Sequence, residues 1–155
     1  MVTIALATPD DAEALLALQK RAYQSEARLY DDWTIPPLTQ TLAELLADFD
    51  NHLMLKALEG DRIAGSVRAH AEAGVCSIGR LFVAPEYQRQ GIGSTLLAAV
   101  EEHTPTVDTF SLFTGTRSEA NIRLYARHGY HIVREEALSP SVIFVHMEKA
   151  RRVAG

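Results

Sequence analysis

Cysteine is almost missing from this sequence. Cys76 stands alone among 155 residues, which leaves no internal disulfide and fits a reducing compartment. A lone thiol of this kind reads as a small buried apolar side chain. Long apolar runs are missing too, and none approaches the roughly 20 residues that a membrane-spanning helix needs. The opening MVTIALATPDD has neither the basic n-region nor the apolar stretch of a signal peptide. Basic residues are in the minority, 15 Lys and Arg against 20 Asp and Glu, for a formal net charge of −5. That balance argues against a general nucleic-acid binder but leaves room for a local basic site facing a phosphorylated ligand. Internal repeats and low-complexity segments are absent. The expectation is one soluble, cytoplasmic domain over residues 1–155, with no nucleic-acid partner and no membrane segment.

What is present is a succession of short, differently patterned runs. Val2 to Leu6 reads as a strand, and Thr8-Pro9-Asp10-Asp11 as a helix start with Thr8 as N-cap. Leu15, Leu18 and Ala22 are spaced for one buried helix face. Ser25 to Pro37 breaks the pattern at Pro36-Pro37 and is predicted to be a loop, followed by a helix carrying Leu38, Leu42, Leu45, Leu46 and Phe49. Thr41 with Glu44 offers a capping box there, with Thr39 as a rival cap. Leu53 to Leu58, Arg62 to His70 and Val75 to Val83 are strand-like, separated by turn signals at Gly60 and Gly74, and predict an antiparallel meander. A helix through Ile92, Leu96, Ala99, Val100 and His103 then leads to a strand at Asp108 to Thr114, which implies a right-handed crossover and parallel pairing. Ser118 caps a helix that Gly129 ends, and Tyr130 to Glu135 and Val142 to Glu148 close the chain as strands.

Between the third meander strand and the crossover helix lies YQRQGIGSTLL, Tyr87 to Leu97. Its backbone N–H groups sit at the positive end of a helix, and Gly91 and Gly93 let an anion approach without side-chain obstruction. Two well-known phosphate loops are excluded. A Walker A loop requires lysine before its Ser or Thr, whereas Ser94-Thr95 follows Gly93 directly. A dinucleotide fingerprint requires a third glycine where Leu96 stands, and it opens the first strand of its unit rather than following a meander.

Gln88-x-x-Gly91-x-Gly93, after a strand ending Leu81-Phe82-Val83-x-Pro85, resembles the pyrophosphate loop of the GNAT family of acyl-coenzyme A-dependent N-acetyltransferases. Asn121-Ile122-Arg123-Leu124-Tyr125, then Arg127-His128-Gly129-Tyr130, is similar to that family's Asn-x-x-x-Tyr helix ending in Gly-Tyr/Phe. The order of elements agrees over nearly the whole chain. The resemblance implies an α/β (α+β) fold: a mixed, mostly antiparallel sheet of about seven strands with about four helices, and a splayed parallel pair at the cofactor site. It also implies a single N-acetyltransferase domain over residues 1–155.

From the resemblance, acetyl-coenzyme A (acetyl-CoA) is the expected cofactor. Its pyrophosphate would meet the N–H groups of Arg89, Gln90, Gly91, Ile92, Gly93 and Ser94, with Gln88 opening the loop and the Arg89 side chain assisting. Arg127 matches a position that would face the 3′-phosphate or stay free at the surface. Leu81, Phe82 and Val83 would offer backbone partners to the pantetheine arm and to the oxyanion, while their side chains pack. Tyr125 is the expected general acid for the leaving thiolate, with Asn121 one turn earlier on the same helix face and also toward the cofactor. The family's glutamate base falls at Gly79 here, so a base must come from elsewhere; His70, Glu72, Thr114 and His146 are the candidates. Glu26, Tyr30 and Trp33, in the Ser25 to Leu38 segment, are the expected acceptor contacts, with Asp31 and Asp32 as further acidic residues. His128 and His131 straddle a helix end, so no metal site is expected. The expected reaction is direct acetyl transfer to a primary amine of a small molecule or peptide, with room left for a homodimer. A non-catalytic acyl-coenzyme A-binding module on the same fold is the alternative, and Gly79 is the residue that favours it.

Overall fold

Local signals place the first helices. In the computed structural model, which describes residues 2–151, strand β1 (Thr3–Leu6) is followed by a 3-10 turn at Pro9–Asp11 and helix α1 (Ala12–Ala22). The Thr8 N–H donates to the Asp11 carboxylate at 2.8 Å, satisfying a donor at the helix entry. The predicted loop from Ser25 to Pro37 is instead largely helical, with α2 at Gln24–Tyr30 and the single turn α3 at Pro36–Thr39. Tyr23, Ala27 and Tyr30, spaced i, i+4 and i+7, supply the apolar face that makes α2 worth forming, and Asp31 at φ 50° ends it. Pro36 and Pro37 occupy the first turn of α3, where a missing N–H costs nothing, so they begin a helical turn rather than break one.

Helix α4 (Leu42–Asp48) is capped by Thr41 and not by Thr39. The Glu44 N–H donates to Thr41 Oγ1 at 3.2 Å, and the Thr41 N–H to Glu44 Oε1 at 2.9 Å. With the crossover helix α5 (Ile92–His103) and α6 (Glu119–Arg127), the described residues hold six α-helices, because the predicted loop forms α2 and the helix expected from Leu38 is divided into α3 and α4.

The strands β2 (Leu53–Glu59), β3 (Arg62–Glu72), β4 (Val75–Val83), β5 (Thr109–Gly115), β6 (His131–Ala137) and β7 (Ile143–Ala150) join β1 in one sheet ordered β1-β2-β3-β4-β5-β7-β6. All neighbours are antiparallel except β4 and β5, the parallel pair that the crossover requires. Helices α5 and α6 cover one face, where Leu96, Leu97, Val100 and Phe110 are fully buried with Leu55 and Met147. Each such side chain contributes roughly 1.5–3 kcal/mol. The opposite face of β2 and β3 is covered by α1 and α4 through Leu15, Leu45 and Met54. No described helix is long and apolar enough to cross a membrane.

Two irregularities shape the later half of β4. First, β4 and β5 pair only at Val75↔Thr109, Cys76↔Phe110 and Ser77↔Ser111, although the strands continue to Val83 and Gly115. From Ile78 onward the edge of β4 that should meet β5 has no strand partner. Second, the β3–β4 register passes from Ser66↔Phe82 to Arg68↔Gly79, a bulge that sets Arg80 and Leu81 against Val67 alone. Arg80 takes φ 48° to accommodate it.

Candidate active site

The gap between β4 and β5 ends on the glycine loop. After β4, a 3-10 turn at Pro85–Tyr87 hands the chain to Gln88, whose side chain reaches back to the Val83 carbonyl at 3.4 Å. Arg89 at φ 64° and Gly91 at φ 78° then turn the backbone before α5 begins. The first i→i−4 bond of α5 runs from Thr95 N to Gly91 O at 3.1 Å, so the N–H groups of Ile92, Gly93 and Ser94 precede it. Those donors, together with the helix dipole, form an anion-binding concavity. A Cβ added at Gly93 would lie 3.2 Å from Leu124 Cδ2, so glycine here also lets α6 pack close to the loop.

Loop, strand edge and α6 enclose a cleft of about 440 Å³. Leu81, Phe82 and Val83 of β4 line it, as do Gln88, Arg89, Gly91, Ile92, Gly93 and Ser94 of the loop. Asn121 and Arg127 come from α6, and Glu26 from α2. Gln90 is outside the lining.

Tyr125 does not line the cleft wall with its ring, which is buried in the core 6.1 Å from the Tyr130 ring. Its hydroxyl has no hydrogen-bond partner among the described residues. Yet no fully buried side-chain polar atom there is unpartnered, so this oxygen retains an opening. Burial raises its pKa well above the ordinary 10.0, and the next contributions come from Tyr23 and Glu26, both on the cleft wall. The phenol therefore keeps its proton throughout the neutral range. Asn121, one turn earlier, donates to Thr114 Oγ1 at 3.4 Å.

The α2 residues divide. Glu26 faces the cleft and accepts from Ser118 Oγ at 2.6 Å. Tyr30 is buried, 2.8 Å from the same Ser118 hydroxyl, and it accepts from the Arg117 N–H at 3.0 Å. A Cβ at Gly115 would sit 1.8 Å from the Tyr30 hydroxyl, so this glycine makes the docking of α2 possible. Trp33 is half exposed and lies outside the cleft lining. Among the base candidates, His70 and Glu72 pair with Ser77 and Val75 at the closed end of β4. His146 binds Glu136 at 3.0 Å, and Thr114 is buried beside Asn121. None of the four lines the cleft.

The chain matches the acetyltransferase (GNAT) family over residues 12–130, well over half its length. It belongs to the GNAT acetyltransferase family. No curated protein matches it, so the GNAT relatives that can be compared are solved structures. The PaiA N-acetyltransferase of Thermoplasma acidophilum, solved with coenzyme A, superposes with a TM-score of 0.80 at 19% identity, covering 97% of this chain and 99% of that one. The ribosomal-protein-S18-alanine N-acetyltransferase of Escherichia coli gives 0.76 at 19% identity over 100% and 97% of the two chains. A GNAT-family acetyltransferase of Streptococcus pneumoniae gives 0.75 at 23% identity over 97% and 99%. At such identities the likeness is one of fold.

This GNAT chain also brings to its cleft residues to which the sequence assigned no part in the site: Ala22, Tyr23 and Ser25 from the α1–α2 junction, Tyr87 from the turn, and Ala120 and Leu124 from α6. Tyr23 sets its ring edge-on to Phe82, centroids 6.1 Å apart, and burial pushes its pKa to about 12. The signal that would have found it is the Tyr23–Ala27–Tyr30 spacing, which two prolines further on had obscured.

Proposed function

We propose that this GNAT protein is an acetyl-CoA-dependent N-acetyltransferase acting on a primary amine by direct attack. One observation carries the reading: the unpaired edge of β4 and the N–H concavity of the glycine loop border one cleft, with Tyr125 buried behind its α6 wall. Its parts fit the cofactor in order. The Arg89–Ser94 loop, with the Arg89 and Arg127 side chains, suits the phosphates, and Leu81 to Val83 offer backbone partners to the pantetheine amides.

Bound acetyl-CoA supplies the acetyl group as a thioester. The free β4 edge would hold the carbonyl oxygen as negative charge grows on it. Tyr125, its proton retained by burial, would deliver that proton to the departing sulfur. Glu26, on the α2 side, would hold the incoming amine, and Tyr30 would keep α2 in place through Ser118. With Gly79 offering no side chain and the four base candidates outside the lining, the amine proton would leave through solvent or Glu26.

Thermal unfolding with acetyl-CoA tests the first half of the proposal. Ligand at about 100 times its Kd should add roughly 2.7 kcal/mol of stability. No shift at millimolar concentration would overturn it. Free-thiol release across a panel of primary amines tests the second half. Firm acetyl-CoA binding with no turnover on any amine would favour the non-catalytic acyl-coenzyme A-binding module, the reading to which Gly79 points.

A further inference from the structure

The floor beside the reacting end of β4 carries a guanidinium that no carboxylate of the described residues contacts. Strand alternation should place Gly79 and Arg80 on opposite faces, but the bulge at Val67 puts both toward α1 and α4. Gly79 leaves open space there, and a Cβ built on it would meet nothing nearer than Arg68 Nε, at 4.0 Å. Two guanidinium groups, Arg68 and Arg80, therefore flank one vacant patch of sheet.

Their protein partners are too few. Arg68 binds Asp48, which also accepts from Gln40 Nε2 at 2.7 Å. Arg80 has a single hydrogen bond, to the neutral Gln40 Oε1 at 2.9 Å, and no carboxylate within ion-pair distance among the described residues. Gln40 is buried and also accepts from Gln19 Nε2 at 3.0 Å, so the relay is fixed by α1 and cannot swing away. Glu44, the next acid on α4, is committed to the capping box with Thr41. Asp48 thus pairs with Arg68 alone, Glu44 acts on Arg80 only without contact, and most of the Arg80 donors remain unused. Arg80 is moreover held at φ 48°, a conformation a non-glycine residue keeps only where the surroundings enforce it. Phe82 stands between this recess and the cleft, lining both.

We infer that Arg80, with Arg68 beside it, recognises a carboxylate on the acceptor, so that the preferred amines are amino acids or similar carboxylate-bearing amines. This rests on the acetyltransferase reading above. A single guanidinium without an ion-pair partner matches a monoanion better than a phosphate dianion. Glu26 across the cleft suits the ammonium end of the same molecule, and the bare Gly79 surface leaves space for what lies between.

The experiment compares matched acceptors: standard amino acids against their C-terminal amides, and ethanolamine against phosphoethanolamine, read by free-thiol release from acetyl-CoA. The expected result is a kcat/KM ratio of at least about tenfold favouring the free carboxylate, which Arg80→Gln collapses and Arg80→Lys partly restores. The ratio is internal to each variant, so partial loss of folded protein does not move it. Equal rates for acid and amide, or a ratio unchanged in Arg80→Gln, would overturn the inference. So would a preference for phosphoethanolamine over the amino acids. If no amine turns over, the acetyltransferase reading fails by itself, and the inference is decided by thermal shift of the coenzyme A-loaded protein. Stabilisation by amino acids but not amides, lost in Arg80→Gln, would sustain it; equal or absent shifts would end it.

Discussion

From Val75 to Ser77, β4 lies against β5, with Cys76 opposite Phe110 and both fully buried. From Leu81 to Val83 the same strand has no neighbour on that side and borders a cleft instead. Neither end carries a charged residue, Val-Cys-Ser at one and Leu-Phe-Val at the other. What differs is the bulge between them and the helix start just past the open end. One strand can therefore be core at one end and binding surface at the other, provided its hydrogen bonds are released only where a ligand can take them up.

The strongest way to sharpen that contrast is to damage the closed end. Phe110→Ala should cost about 3–5 kcal/mol of stability, read by urea unfolding, while the folded fraction still binds acetyl-CoA normally. A matching loss of affinity would show that the two ends are not independent. Next, Tyr125→Phe at the open end should lower kcat by about 100-fold. Because the hydroxyl has no protein partner, stability should move by no more than about 0.5 kcal/mol. A large drop in Tm would make the hydroxyl structural instead. Smaller again, Gly91→Val places a branched side chain at φ 78°, costing about 1–2 kcal/mol. Calorimetry should show acetyl-CoA binding weakened about tenfold, as a hydrogen bond to a charged phosphate is lost.

The smallest expected effect is on the alkaline limb of the pH–rate profile. Burial raises the Tyr125 pKa, so the protonated form prevails below its ordinary 10.0 and is lost only as pH rises through the higher folded value. The rate with a fixed acceptor should show no fall attributable to this group up to about pH 10. A limb near pH 8 that vanishes in Tyr125→Phe would contradict the assignment.

Much of this arrangement is legible in the sequence, for local reasons. The Thr41–Glu44 capping box, the turn glycines at 60 and 74, the Gly129 helix end and the Gly91-x-Gly93 hinge are each decided within a few residues. Helix α2 is not legible, because its apolar face is only Tyr23, Ala27 and Tyr30 and its stability comes from docking onto Gly115 and Ser118, far along the chain. That docking also explains why Tyr30 is a buried support while Glu26, one turn away, faces the cleft.

By itself the sequence determined the order of the strands, the parallel crossover and the anion-seeking loop, because those arise from periodicity, caps and backbone freedom within short windows. Only the tertiary structure decided that β4 and β5 part after Ser77 and Ser111. Only it showed that Gly79 and Arg80 share a face, and that the Tyr125 ring is buried beside Tyr130. Strand register is a pairing between distant segments, and a one-residue shift in it reassigns every side chain beyond.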